Sequence, residues 1–363
     1  MALRLDPRAS RLDPRASYVD FQIAILLTQD GLTNGAIYAL MALALVLVFS
    51  VTRVVFIPQG EFLAFGALTL ATLQTRAVPG TIWLLLVFDA VAFLIDATAA
   101  LTRRRPAAVV PAALWNLALP AAIAGLATWL APLEMPLPAS IALTFLIVVP
   151  LGPLLYRIVY QPIAEAPVLV LLIVSFAVHL ALSGIGLVLF GAEGSRTPAF
   201  SEATLEIGFL PLPAQSLWVY GGSMALAGAL YAFFGRTLFG KALRATAVNR
   251  TGAKLSGIRT AFAGKACFLL AALIGVASGV LIGPLTTIYY DTGFLVGLKG
   301  FVGAIIGALA SYPVAVAGAL FVGLLESFAS FYASAYKEVI VFTLIIPVLL
   351  WLSLRTPHEE EEE

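Results

Sequence analysis

The stretch DGLTNGAIYALMALALVLVFSVTRVVFIPQGEFLAFGAL, residues 30–68, decides the fold. From Gly31 to Val51 it carries no charged side chain, and as a helix rising 1.5 Å per residue that run crosses about 30 Å of hydrocarbon. A second apolar run follows at 54–74, broken by Pro58 and carrying Glu61. A carboxyl group in hydrocarbon is costly, so Glu61 is expected to face a cavity, a pathway or a partner residue rather than lipid.

The whole chain repeats this pattern. Its 363 residues are 61% hydrophobic and only 11% charged, with a mean hydropathy of +1.00. A water-soluble fold needs far more charge to cover its surface, so the solvent for most of this chain is lipid. The expected fold is all-α, a polytopic transmembrane bundle of about 10–11 spans. Apolar runs at 31–51, 54–74, 82–101, 107–131, 139–160, 167–190, 216–235, 266–288, 295–310, 313–332 and 338–354 supply them. The segment FQIAILL at 21–27 is too short to cross, and either lies at the interface or extends the first helix. The run 295–310 is also short, which implies a tilted, broken or re-entrant element.

Net charge is only +1, which points to neither nucleic acid nor an acidic partner. A single cysteine, Cys267, rules out an intrachain disulfide, and two histidines, His179 and His358, are too few for a histidine-cysteine metal site. The sequence RLDPRAS occurs twice over residues 4–17, so 1–20 reads as a flexible or foreign tail. The run HEEEEE at the other end places a solvated acidic tail at 355–363.

One third of the 21 Lys and Arg residues lie in an acid-free stretch at 236–265: Arg236, Lys241, Arg244, Arg250, Lys254, Arg259 and Lys265. Placing that stretch in the cytoplasm also puts Arg103, Arg104, Arg105, Arg157 and Arg355 inside, and leaves Arg76, Arg196 and Lys337 outside. The same count sends the arginines of the first 20 residues outside, against the rule. Gly235 to Ala242 reads GRTLFGKA, one residue short of a P-loop, but Ala242 lacks the hydroxyl that holds magnesium and a membrane helix precedes it. No nucleotide site, cofactor or metal is therefore expected in this chain. No Ser-His-Asp, Cys-His or paired-carboxylate spacing occurs, so an intramembrane enzyme is the weakest reading, no catalytic residue is singled out, and proton- or sodium-coupled transport stays open.

Ionisable residues inside the apolar runs are Glu61, Asp89, Asp96, His179, Lys299 and Glu326, with Asp30 near an edge. Asp89 and Asp96 share one helix face at a spacing of seven and are placed to meet an arginine of the 103–105 turn. His179 reads as a packing residue. Glycines four apart, at Gly31 and Gly35, Gly275, Gly279 and Gly283, and Gly303 and Gly307, form flat strips for close helix approach.

Four stretches in order carry a family resemblance: 30–68 above, YQPIAEAPVLVLLIVSFAVHLALSGIGLVLFG (160–191), FGKALRATAVNRTGAKLSGI (239–258) and SGVLIGPLTTIYYDTGFLVGLKGFVGAIIGALASYPVAVAGALFVGLLESF (278–328). Together they resemble the shorter, H-type permease subunit of bacterial branched-chain amino acid ABC transporters. That resemblance implies an importer permease architecture over 21–354, in the bacterial inner membrane, forming half of a translocation pathway. The implied partners are a second permease, two ATPases that bind ATP and magnesium, an extracytoplasmic solute-binding protein and membrane lipid. The implied solutes are branched-chain amino acids or related small molecules such as urea, amides and aromatic acids. The loop 236–265 becomes the element that couples to the ATPase, through Lys241, Arg244, Asn249, Ala253, Leu255 and Gly257. Pathway candidates are Gln59, Gly60, Glu61, Phe65, Lys299 and Glu326, because transporters place solutes at broken helices near the midplane. The chain departs from the family where Phe56-Ile57-Pro58-Gln59-Gly60-Glu61 replaces the usual Asn-Phe-Ala-His-Gly-Glu, and where Val248 and Asn249 replace an acidic pair. Residues 76–138 resemble nothing in compact members and read as an inserted helical hairpin. The rival reading from the residues alone is a stand-alone, ion-coupled secondary transporter.

Overall fold

The computed structural model describes residues 14–104, 107, 109–207 and 210–355. The first copy of RLDPRAS, Arg105 and the acidic run HEEEEE lie outside the described residues.

The first helix, α1 (Pro14–Thr52), absorbs the 21–27 segment as an extension. It starts on a proline, which the first helical turn tolerates, and stops where Arg53 takes a positive φ of 61°. Residues 53–58 leave the helix, and α2 (Gln59–Gln74) begins only after Pro58. The expected crossing 54–74 is therefore an irregular strand of chain followed by a short helix. At 16 residues α2 is about 24 Å long, less than the hydrocarbon thickness. Nearly all its residues are buried, so protein rather than lipid covers the free backbone at its start.

A peripheral hairpin follows: α3 (Thr81–Thr102), then α4 (Val109–Ala113) and α5 (Leu119–Leu130) joined by a π-helical turn at Leu114–Ala118. Trp83, Leu94, Leu101, Trp115 and Trp129 stay exposed on it, which is the side-chain chemistry of a lipid-facing surface. Next come α6 (Leu137–Val148), α7 (Leu151–Leu155) with a π-helical turn at Tyr156–Tyr160, and α8 (Val168–Phe190). The loop beyond α8 holds the strand pair β1 (Thr204–Ile207) and β2 (Leu210–Pro213), antiparallel. The sequence reading contained no strand.

The second half comprises α9 (Ala214–Arg236), α10 (Leu238–Val248), α11 (Arg250–Leu255), α12 (Thr260–Ile282), α13 (Thr292–Ile306), α14 (Tyr312–Tyr332), α15 (Lys337–Thr343) and α16 (Ile345–Arg355). The helix α12 starts six residues earlier than the expected 266–288, which draws Lys265 into it, and it stops before Pro284. Among the described residues nine segments are long and apolar enough to cross a membrane, and α2 and α13 are the two short additions. The protein is a multi-pass helical membrane protein.

α1 is the central post. It packs on α14, α13 and α12, while α2 packs on α12 and α13. The glycine strips are spent on these contacts inside the chain. Gly31 and Gly35 meet α14 at Leu324 and Leu320, Gly279 meets α2 at Leu63, and Gly303 meets α14 at Ala319. Close approach of this kind replaces the hydrophobic drive that lipid removes.

Candidate functional site

The starts of α2 and α13 meet. Gln59 Nε2 donates to the Ala271 carbonyl at 2.9 Å, and Ala271 lies in the middle of α12, so the first turn of α2 sits at mid-depth. Gly60 faces Gly293 in the first turn of α13 so closely that a side chain on either would overlap the backbone of the other. From that crossing α2 runs alongside α12, from Gly275 to Gly279. The other short helix, α13, runs towards the start of α14, where Gly307 packs on Ala315 and Tyr312 lies beside Ser50 near the end of α1. The basic loop 236–265 is on that same side, since Leu243 of α10 packs with Leu47 and Val51 of α1. The two half-helices therefore point in opposite directions from one midplane crossing, with their N-termini together. Each N-terminus carries free N–H groups and a partial positive charge, which favours polar or anionic groups there.

Sequence places such groups at the crossing. Gln59 is 0% and Glu61 1% exposed, and the Gln59 amide oxygen Oε1 and the second Glu61 oxygen, Oε2, have no hydrogen-bond partner. Glu61 Oε1 and His179 Nδ1 of α8 share a hydrogen bond of 2.7 Å. The His179 ring stacks on Phe294 of α13 with centroids 4.2 Å apart. One imidazole thus ties both half-helices to α8. His179 is more than the expected packing residue, because it holds the Glu61 carboxyl in place. Phe65, one turn further along α2, packs on Phe190 and Gly186 of α8.

The other two pathway candidates lie in a separate cluster. Lys299 Nζ of α13 donates to Glu326 Oε1 of α14 at 2.6 Å and to Glu338 Oε1 of α15 at 3.2 Å. Tyr38 of α1 donates to the second Glu326 oxygen at 2.6 Å. Tyr38 and Glu338 were not singled out by sequence, because a tyrosine in a span and an acid near its end are unremarkable alone.

The coupling candidates do come together. Lys241, Arg244, Asn249 and Ala253 line one open groove of about 460 Å³ between α10 and α11. Thr237 caps α10 by accepting from the Gly240 N–H at 3.0 Å, and Asn249 caps α11 by accepting from the Gly252 N–H at 2.7 Å. Gly257 ends the motif with φ +84°, a left-handed turn that suits glycine. Leu255 and Val248 are 85% and 82% exposed. On the facing loop, Arg250 donates to the Ala164 carbonyl at 2.9 Å, and Lys254 pairs with Glu165 at 3.1 Å. That contact holds the Glu165 carboxyl below the usual carboxylate range, through the Lys254 hydrogen bond first and the charges of Lys254 and Arg250 next.

Asp96 meets Arg157, and also accepts from Asn116 Nδ2 at 2.9 Å; among the described residues neither Arg103 nor Arg104 pairs with it. Arg157 is delivered to that face by the π-helical turn after α7.

Opposed half-helices meeting at mid-depth around buried polar side chains, within a bundle of apolar spans, define a membrane transport protein. Residues 27–349 match the family profile described as branched-chain amino acid transport system / permease component. The chain belongs to that permease family, whose members are transport subunits and not enzymes. It is 28% identical over 203 residues to the high-affinity branched-chain amino acid transport system permease protein LivH of Escherichia coli K12, covering 53% of this chain and 65% of LivH. It is 25% identical over 220 residues to the corresponding BraD protein of Pseudomonas aeruginosa, covering 59% of this chain and 72% of BraD. The matched region thus spans a little under two thirds of LivH. No solved structure matches.

Proposed function

We propose that this chain is the permease subunit of an ATP-driven importer in the bacterial inner membrane, and forms half of a pathway for branched-chain amino acids or related small solutes. A second permease completes the pathway, a solute-binding protein delivers to one face, and two ATPases bearing ATP and magnesium act on the other. The observation that carries this reading is the α10–α11 loop. It is rigidly capped and anchored to α1 through Leu243, yet leaves Leu255 and Val248 uncovered. An anchored apolar surface on the basic face fits a docking partner, and its rigid link to the bundle passes movement inward. The solute path runs beside the Gly60–Gly293 contact, and the buried, unpartnered oxygens of Gln59 and Glu61 become acceptors for it when the half-helices part.

Affinity isolation after gentle solubilisation from native membrane tests the reading. An ATPase pair and a second permease are expected to come along. Leu255→Asp with Gly257→Pro removes the ATPase while the permease still inserts. The buried Glu61–His179 pair favours one rival, an ion-coupled transporter acting alone. Isolation without partners, with solute movement down an imposed ion gradient, selects that rival.

A further inference from the structure

Away from the crossing, a cavity of about 630 Å³ opens between the inserted hairpin and the main bundle. Its volume lies in the range of pockets that hold small ligands. The face of α3 that lines it carries Asp89, Asp96 and Arg103, at successive spacings of seven, so the acids lie deep and the arginine lies at the mouth. Arg157 and Lys265 enter from α7's π-helical turn and from α12. Lys265 is five residues into α12, about 8 Å below the helix start, and Arg157 is three residues from the end of its own segment. Arg103 thus lies at the end of α3, with Arg157 and Lys265 within about 8 Å of the basic face.

These cations are under-used. Asp96 engages one guanidinium nitrogen of Arg157, and Arg157 Nε is buried with no hydrogen-bond partner. Among the described residues Arg103 and Lys265 make no ion pair. Asp96 already offsets Arg157, and with Asp89 the cavity holds three cations to two acids, so an anion that joins Arg103 and Lys265 lowers the repulsion among the cations. The backbone is also adapted to this cavity: both π-helical turns in the chain's described residues, Leu114–Ala118 and Tyr156–Tyr160, deliver side chains to it, namely Trp115, Asn116 and Arg157. Such turns add a residue at a cost in hydrogen-bond geometry and recur at functional sites. Deeper in, the wall is mainly apolar, with Leu85, Leu119, Ile123 and Leu154 around the α3 acids Asp89 and Asp96.

We propose that this cavity binds the phosphodiester headgroup of an anionic phospholipid from the basic-face leaflet, with Arg103, Arg157 and Lys265 on the phosphate and the acyl chains against the hairpin. Charge on the phosphate, apolar wall beneath it and Trp115 at interfacial depth match such a lipid in order. The bound lipid cements the hairpin to the bundle, where direct side-chain packing leaves a gap.

Native mass spectrometry of the full chain, purified in mild detergent, tests this with micelles containing phosphatidylglycerol and, separately, with inorganic phosphate. A retained phosphatidylglycerol adduct is expected, with affinity reduced about 30-fold by Arg103→Ala with Lys265→Ala, as two interfacial cations are removed. Arg76→Ala, at the opposite end of α3's hairpin, leaves it unchanged. Arg103→Met and Lys265→Met singly keep the apolar stems and report the same loss in smaller steps should the double variant misfold. An adduct of unchanged affinity in the charge-removed variants overturns the proposal. So does its displacement by inorganic phosphate at equal concentration, which assigns the cavity to free phosphate.

Discussion

Gly60 and Gly293 occupy each other's side-chain space: a Cβ on either falls on the other's backbone carbonyl. Neither neighbour is a flexible side-chain end, so the clash can be relieved only by separating α2 from α13. Gly60→Ala and Gly293→Ala are each expected to cost about 1–3 kcal/mol, the usual range for overpacking. Gly125→Ala and Gly228→Ala, in helices with open space around them, should be neutral or slightly stabilising. Thermal unfolding in one detergent compares the four, and equal effects at all four sites would falsify the mutual contact.

The Glu61–His179 bond joins α2 to α8 across 118 residues of sequence. His179→Ala leaves a second Glu61 oxygen buried without a partner, at a cost of about 1–3 kcal/mol. Glu61→Gln retains an acceptor for the imidazole and should cost less than Glu61→Ala. In a double-mutant cycle the two alanine changes are expected to be sub-additive, since each alone already breaks the bond. Strict additivity would show that the two side chains do not act on each other.

The class of the fold was legible because lipid imposes long uncharged runs, and these survive any uncertainty of boundary. The half-helices were legible only in part. Pro58 and the glycines of 293–307 mark the breaks, but only packing fixes α2's start at Gln59 and sets Gly60 against Gly293. The Glu61–His179 pair was not legible, because nothing local links a carboxyl in one span to an imidazole in another. Lys299 and Glu326 were singled out by cost in hydrocarbon, and they do find each other. Cost alone grouped them with Glu61, whereas the structure puts them in a different cluster. The strand pair β1–β2 escaped notice because its segments are four residues each and β2 carries two prolines, Pro211 and Pro213.

The Lys254–Glu165 contact lies at the surface, with side chains 48% and 84% exposed, so it steers the loop more than it stabilises the fold. Its pH sign follows from the direction of the shift. A carboxyl lowered in the folded state contributes above its ordinary value near 4.3, and that contribution fades as pH falls through the lowered one. Contact between the 161–167 loop and α11 should therefore be constant from pH 8 to about pH 5 and weaken only in stronger acid. Carbon-detected NMR of Glu165 checks this: its midpoint is expected below the ordinary carboxylate range, and to rise towards it in Lys254→Met. A midpoint indifferent to that substitution removes Lys254 as the cause.

One cation serves two carboxylates in the α13–α14–α15 cluster, and the three are not equally placed. The Lys299 side chain is 7% exposed and that of Glu326 12%, whereas Glu338 is 36% exposed and can turn to solvent or headgroups. Removing the ammonium leaves Glu326 with only the Tyr38 hydroxyl. Lys299→Met should therefore cost about 3–5 kcal/mol, the penalty for stranding a buried charge. Glu338→Gln leaves Lys299 paired with Glu326 and should cost less than Lys299→Met. Adding Glu326→Gln to Lys299→Met removes the stranded charge, so the double variant is expected to be more stable than Lys299→Met alone. That reversal is the informative measurement, read as thermal midpoints in a common detergent. A double variant less stable than either single one would mean that Glu326 is held by Tyr38 and its surroundings rather than by the lysine.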